Sequence, residues 1–203
     1  ISAFGQEGPF SSRGAYDHVV QGMSGIMSTT GTKKSGPTKV GAPYIDYSTG
    51  LNAAFAITSA LIELQKSKKP IKLDISMLDT SFILMANMVT EYLNSGWVPT
   101  PMGNEAQSGS PSSGLFETKT QPILLAANNE AQFNSLCDAL NSIGIFDKDK
   151  WNSSYRSKNK KELRINLQNI FKNDKIDIDN KYTQDLLTKM RFLFKKRITF
   201  YDI

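Results

Sequence analysis

The stretch that most constrains the fold runs from Val40 to Leu64, VGAPYIDYSTGLNAAFAITSALIEL. A loop carrying Gly41 and Pro43 leads to Asp46, and a long run of small and apolar residues follows. An Asp in this place reads as an N-cap, because its carboxylate accepts the orphan N–H groups of a first helical turn. Behind it Ala53, Ala54, Ile57, Ala60, Leu61 and Leu64 recur at spacings of three and four, which predicts a helix with one buried face. Gly50, Ala53, Ala54, Ala56 and Ala60 keep that helix thin, so a backbone or a ligand can approach it closely. On the residues alone Asp46 is either a cap or a carboxylate available for chemistry at the positive end of a helix.

Upstream, Ile1–Gly5 reads as a short buried strand, and Gly8-Pro9 marks the turn after it. Tyr16 to Thr30 reads as a helix with Val19, Val20, Met23, Ile26 and Met27 apolar and with Gly22 and Gly25 allowing close packing. Downstream, Ser67-Lys-Lys-Pro70 stops the helix that follows Asp46, and Ile71, Leu73 and Ile75 alternate with polar residues as in a half-buried strand. A second long helix is predicted from Met77 to Ser95, with Phe82, Met85, Met88, Val89 and Tyr92 on its core face and Gly96 ending it. Gly103–Gly114 is a polar loop, Leu115-Phe116 and Pro122–Ala127 suggest a hairpin turning at Thr120-Gln121, and Asn129 caps a helix reaching Ser142. Charged helices are predicted over Lys160–Asn173 and Tyr182–Lys196.

Several chemistries are excluded by count. One histidine, His18, and one cysteine, Cys137, far apart, suggest no metal site and no Ser-His-Asp set. The loop at 103–114 lacks the spacing and the following Lys-Ser/Thr of a phosphate-cradling loop. Phe133, Leu136 and Leu140 place Cys137 on an apolar helix face as a buried thiol, and a lone cysteine fits a reducing compartment, the cytoplasm. His18 reads as a packing or surface residue that points away from a site at Asp17, one position before it. No signal-peptide pattern and no run of about 18 apolar residues occurs, so no membrane partner is expected. The net charge of +5 sits at one end: residues 147–203 carry 15 Lys/Arg against 8 Asp/Glu. Because Asp and Asn are interleaved there, a solvated helical surface is preferred to a nucleic-acid-binding one.

Taken together, Ile1–Met27 (ISAFGQEGPFSSRGAYDHVVQGMSGIM), Val40–Gly50 and Lys72–Phe82 (KLDISMLDTSF) resemble the class III CoA-transferase family, in order and spacing. That family includes formyl-CoA:oxalate and carnitine-type CoA-transferases and the related α-methylacyl-CoA racemases. The resemblance implies that Asp46 is the catalytic nucleophile, which carries CoA as an aspartyl-CoA thioester between an acyl-CoA donor and a carboxylic acid acceptor. It implies substrate or CoA contacts for Tyr16 and Asp17, and for Gly109 in a small-residue loop closing over the thioester. It implies no resident cofactor or metal, coenzyme A entering as part of the substrate. Tyr16 stands where the racemases carry a histidine, which favours the transferase branch over a racemase-type isomerase; a non-enzymatic basic binding domain is the remaining alternative.

For the fold, the resemblance implies an α/β protein. Residues 1–97 would be the remainder of a Rossmann-like, CoA-binding large domain with a linker helix, and residues 98–203 a smaller α/β domain. The family assembles as an interlocked homodimer and opens with a nucleotide-type segment that this sequence does not contain, so the expectation is a fragment inactive alone. Met190–Ile203 matches nothing in the family.

Overall fold

The structure is a computed structural model and describes residues 1–173 apart from 119–121, 143 and 145. The predicted turn at Thr120-Gln121, the predicted helix Tyr182–Lys196 and the unmatched segment Met190–Ile203 lie outside the described residues. The chain divides into two compact units, Ile1–Gly103 and Asn104–Ile203, and it mixes helices with a small sheet.

In the first unit, α1 (Asp17–Met23), α2 (Tyr44–Ser67) and α3 (Met77–Leu84) pack on one another, and α4 (Ala86–Ser95) follows α3. Val20, Ile26, Ile45, Met77 and Met85 form the core, with Ala3 from the opening segment. The helix predicted over Tyr16–Thr30 is shorter than its pattern: Gly25 takes a left-handed φ of 85°, and a 3-10 turn over Ile26–Thr29 replaces the rest. The single helix predicted over Met77–Ser95 is two, because Met85 leaves helical geometry at φ −106°, ψ 19°. Ser76 starts α3 as a cap, its hydroxyl accepting the Asp79 N–H at 3.0 Å and donating to the Asp79 carboxylate at 2.6 Å. Gly96 closes α4 in the left-handed conformation, as the sequence indicates.

Two predicted strands reduce to one contact. Ser2 bridges Ser76 in parallel, with the Ser2 N–H on the Ile75 carbonyl and the Met77 N–H on the Ser2 carbonyl. The 71–75 alternation therefore does not extend into a ladder, and Ile71 and Leu73 remain exposed. Helix α2 departs from expectation as well. Its buried positions are Ile45, Thr49 and Ala53, whereas Ile57, Leu61 and Leu64 of the predicted core face are exposed, as are Tyr47, Leu51 and Phe55. Among the described residues, the buried positions of α2 all lie in its first three turns.

The second unit is built on a hairpin. β1 (Ser113–Phe116) pairs antiparallel with β2 (Ile123–Ala126), in a register that sets Ser113 opposite Ala126 and Phe116 opposite Ile123. One face is buried through Phe116, Ile123 and Leu125, while Leu124 points to solvent, the period-two signature of a half-buried strand. Helices α5 (Glu130–Ser142), α6 (Ser153–Lys158) and α7 (Lys160–Asn173) close the core with Phe133, Leu136, Leu140, Leu163, Leu167 and Phe171. Asn129 caps α5 through a reciprocal pair: its carboxamide accepts the Gln132 N–H at 2.9 Å, and the Gln132 carboxamide accepts the Asn128 and Asn129 N–H groups. Arg164 lies over the Phe116 ring at 3.7 Å and donates to the Leu115 carbonyl at 2.6 Å, tying α7 to β1.

Candidate active site

Helix α2 begins with a deficit. Pro43 occupies its N-cap position and has no side-chain acceptor, so the N–H groups of the first turn need a partner from elsewhere. Asp17 supplies it from a distant part of the sequence. One carboxylate oxygen, Oδ2, accepts the Ile45 N–H at 2.8 Å and the Asp46 N–H at 3.3 Å. The other, Oδ1, accepts from the Gln21 carboxamide, one helical turn along α1. Gln21 is completely buried, and its own oxygen accepts the Val40 N–H at 3.0 Å. A negative carboxylate at a helix N-terminus is stabilised by the aligned peptide dipoles as well as by these bonds.

This corrects the reading of Asp46 as the N-cap. Asp46 is the third residue of α2, has helical rather than cap placement, and leaves its carboxylate exposed. The cap function belongs to Asp17, which is 7% exposed. Tyr44, the first residue of α2, has its phenol pKa pushed up by burial and by the negative charge of Asp17.

Around Asp46 the surface forms an open concavity of about 330 Å³, lined by Tyr16, His18, Lys39, Gly41, Pro43 and Asp46, with Asp17 contributing from beneath its buried surface. Tyr16 precedes α1 with extended backbone, and its ring is exposed and stacked parallel to the His18 imidazole, centroids 6.3 Å apart. His18 thus shares the concavity with Asp46 instead of pointing elsewhere. Asp17 and His18 are successive residues of α1 and do diverge: Asp17 is buried and His18 is exposed in the hollow. Lys39 folds its ammonium onto the Val40 and Gly41 carbonyls at 2.7 and 3.1 Å, which pins the loop entering α2. The result is one exposed carboxylate, one cation, one imidazole and one phenol around a solvent-open hollow.

Gly109 belongs to the second unit. It is exposed in a left-handed conformation, φ 63°, with its N–H on the Ala106 carbonyl at 2.9 Å and open space where a side chain would stand. The segment from Asn104 to Gly114 is an ordered loop rather than a floppy linker: Ser110 and Ser112 both donate to the Ala127 carbonyl at 2.9 Å, and Glu105 bridges Gly114. Beside it lies a polar hollow of about 290 Å³, where Arg156 pairs with Glu130 and covers the Phe133 ring at 3.9 Å. Cys137 is buried, and burial pushes its thiol up to about 12, so it is not a thiolate nucleophile. Among the described residues no His, Cys, Asp and Glu cluster suits a metal ion, and no helix is long and apolar enough to cross a membrane.

Gln21 and Lys39 are absent from the sequence reading. The spacing of Gln21 four residues after Asp17 puts the two on one helix face, which is the signal that identifies Gln21. Lys39 carries no such signal, since its role is to reach the carbonyls of its own loop.

Comparison with known proteins gives this geometry a context. The sequence pattern of CoA-transferase family III matches residues 1–189. The succinate–glutarate CoA-transferase of Agrobacterium fabrum is 36% identical over 151 residues, covering 74% of this chain and 38% of that protein. The human succinyl-CoA:glutarate CoA-transferase is 30% identical over 196 residues, covering 96% of this chain and 42% of that protein. A CAIB/BAIF family protein from Brucella suis has a similar structure, with TM-score 0.76 and 30% identity over 100% of this chain and 52% of that one. The chain spans about two fifths of the length of these curated relatives.

Proposed function

The chain belongs to CoA-transferase family III, and we propose that the protein containing it moves coenzyme A from an acyl-CoA donor to a carboxylic acid acceptor by way of Asp46. The observation that carries this reading is the division of labour between two aspartates. Asp17 satisfies the start of α2, so Asp46 stands exposed in the hollow with no capping duty. A carboxylate is a weak nucleophile, but it can attack an activated acyl group such as a thioester.

The steps balance without an external reagent. A carboxylate oxygen of Asp46 attacks the thioester carbonyl, forming a mixed anhydride and expelling CoA thiolate. The thiolate attacks the Asp46 carbonyl of the anhydride, releasing the donor acid and leaving an aspartyl-CoA thioester. The acceptor carboxylate attacks that thioester, again expelling the thiolate and forming a second anhydride. Attack of the thiolate on the acceptor's acyl carbon then frees Asp46 and the new acyl-CoA. Each tetrahedral intermediate needs N–H donors, and for the small-residue loop containing Gly109 as their source the support is the family resemblance alone. Tyr16 would contact the substrate from its exposed position, and Asp17 would hold the geometry beneath it. The names of the relatives support short dicarboxylic acids as acceptors.

The family's architecture supports the rest of the assembly. Residues 1–97 would be part of a Rossmann-like large domain and 98–203 a smaller domain of an interlocked cytoplasmic homodimer. The exposed Tyr47, Leu51, Phe55, Ile57 and Leu61 give α2 an apolar surface of the sort a second chain covers.

The test is mass spectrometry of the intact protein quenched after mixing with succinyl-CoA. An adduct on the peptide carrying Asp46, absent in Asp46→Asn, is expected, together with a loss of at least 1,000-fold in turnover, the scale on which removal of a covalent nucleophile is felt. Full activity in Asp46→Asn would refute the reading. A second reading, isomerisation at the α-carbon, draws on the presence of His18 beside Asp46 in one hollow. Incorporation of deuterium from solvent at the α-carbon of an acyl-CoA would establish it.

A further inference from the structure

We propose that Gln21 is a positioning residue for Asp46, acting through Asp17 and through the loop that enters α2. The proposal rests on the reading of Asp46 as the nucleophile. Gln21 is completely buried, and a carboxamide in that position is tolerated only when both of its ends are satisfied. Both are. Its nitrogen donates to Asp17 Oδ1, and its oxygen accepts the Val40 N–H at 3.0 Å. The partners fix the orientation of the amide, since a backbone N–H can only donate and a carboxylate can only accept.

The chain of bonds is therefore directional. The Val40 N–H, the Gln21 amide, the Asp17 carboxylate and the Ile45 and Asp46 N–H groups run in one series, with a backbone donor at each end and Asp17 as the acceptor that faces both ways. Three segments meet in it: α1, the loop ending at Pro43, and the first turn of α2. Replacing Gln21 with a side chain of similar volume and no amide leaves the Val40 N–H without its partner and frees one Asp17 oxygen to rotate. The predicted consequence is a small displacement of the α2 start, and a misplacement of about 1 Å is worth on the order of 100-fold in a positioned reaction.

Among the described residues, the groups that face this site are few. On α1 and just before it they are Asp17, His18 and Tyr16; from the loop, Lys39; from α2, Tyr44 and Asp46. Helix α3, which also packs on α1, carries Asp79 alone, and Ser76 holds that carboxylate at the helix's own start. The adjacent 3-10 turn has no titratable side chain.

The experiment uses the intact protein as wild type, Gln21→Met, Gln21→Glu and Asp46→Asn, with succinyl-CoA and acetyl-CoA as probes. The readouts are the single-turnover rate of Asp46 adduct formation and the KM for the CoA ester. Gln21→Met is expected to form the adduct 10- to 100-fold more slowly, with KM changed less than threefold. Gln21→Glu separates positioning from mere packing. Its protonated carboxyl can donate to Asp17 and accept from Val40 as the amide does, whereas its ionised form sets two carboxylates face to face. Its rate is expected to approach that of the wild type at low pH and to fall as pH rises, a limb absent from wild type and from Gln21→Met. Should Gln21→Met fail to fold, the pH profile of Gln21→Glu carries the test alone.

A wild-type adduct rate in folded Gln21→Met would overturn the proposal, and so would a Gln21→Glu pH profile parallel to that of the wild type. Either result would leave the nucleophile reading standing. No Asp46 adduct in the wild-type protein, or undiminished turnover in Asp46→Asn, would overturn both.

Discussion

Removing the carboxylate of Asp17 in Asp17→Ala should loosen the start of α2 far more than a surface aspartate would. The 2.8 Å bond from the Ile45 N–H is charge-assisted, and such bonds contribute about 1.5–3 kcal/mol. The 3.3 Å bond from the Asp46 N–H is long and adds less. The Gln21 amide, fully buried, would keep a donor without an acceptor, which costs about 1–3 kcal/mol. These contributions share one group and do not add, so a net loss of about 3 kcal/mol is the reasonable figure. That corresponds to roughly 100-fold faster opening of the first turn of α2.

Hydrogen exchange followed by mass spectrometry on the intact protein reads this directly, through peptides spanning residues 42–50. Peptides from α5, in the other unit, serve as the internal reference. Asp17→Asn should recover only part of the protection. With N–H donors at both ends of the bonded series and amides at both positions between them, one donor must face another whichever way the amides turn. Unchanged protection of residues 42–50 in Asp17→Ala would refute the assignment of Asp17 as the cap of α2.

Two further outcomes follow from the second unit. Cys137 has its thiol pushed up to about 12 by burial, so the folded state holds its proton where the unfolded chain, titrating near 8.5, has lost it. Stability should therefore fall as pH rises from about 9 toward 12, and Cys137→Ala should flatten that slope in urea titrations. Prompt alkylation of Cys137 at pH 8 in the native protein would contradict the burial. Gly114 has φ 116°, and a methyl group there would meet the Asn104 carbonyl at 2.7 Å and the Glu105 Cα at 2.9 Å. Gly114→Ala should cost about 2–4 kcal/mol, through backbone strain and the displacement of the 104–106 segment, measured as a lowered urea midpoint.

Features whose cause is local were legible in the sequence. The cap at Asn129 and the stop at Gly96 each depend on residues within a few positions of one another. The family was legible for the same reason, since its motifs are short words in a fixed order. The carboxylate at position 46 stands at the start of a helix as the sequence indicates, but the capping role that its position suggests belongs to Asp17. A cap delivered from 28 residues upstream leaves no spacing to detect, and Pro43 followed by two residues and an Asp looks like a capping sequence from within. The buried face predicted for α2 failed for a different reason. Periodicity reports that a face is apolar and says nothing about which chain covers it. The segment 71–75 has the alternation of a strand, yet among the described residues the one bridge beside it is at Ser76.

The reach of Asp17 to α2 also bears on the order in which the molecule assembles. Bringing the Asp17 carboxylate to the Ile45 amide closes a loop of 28 residues, at an entropic cost of about 3 kcal/mol for the length-dependent part alone. The middle of α2 can wind up from its own Ala- and Leu-rich turns, whereas its first turn has to wait for that closure. Asp46 acquires its fixed place only then. A partly folded chain would thus hold a helix whose first turn is unfinished, with the Asp46 carboxylate unplaced until α1 has docked.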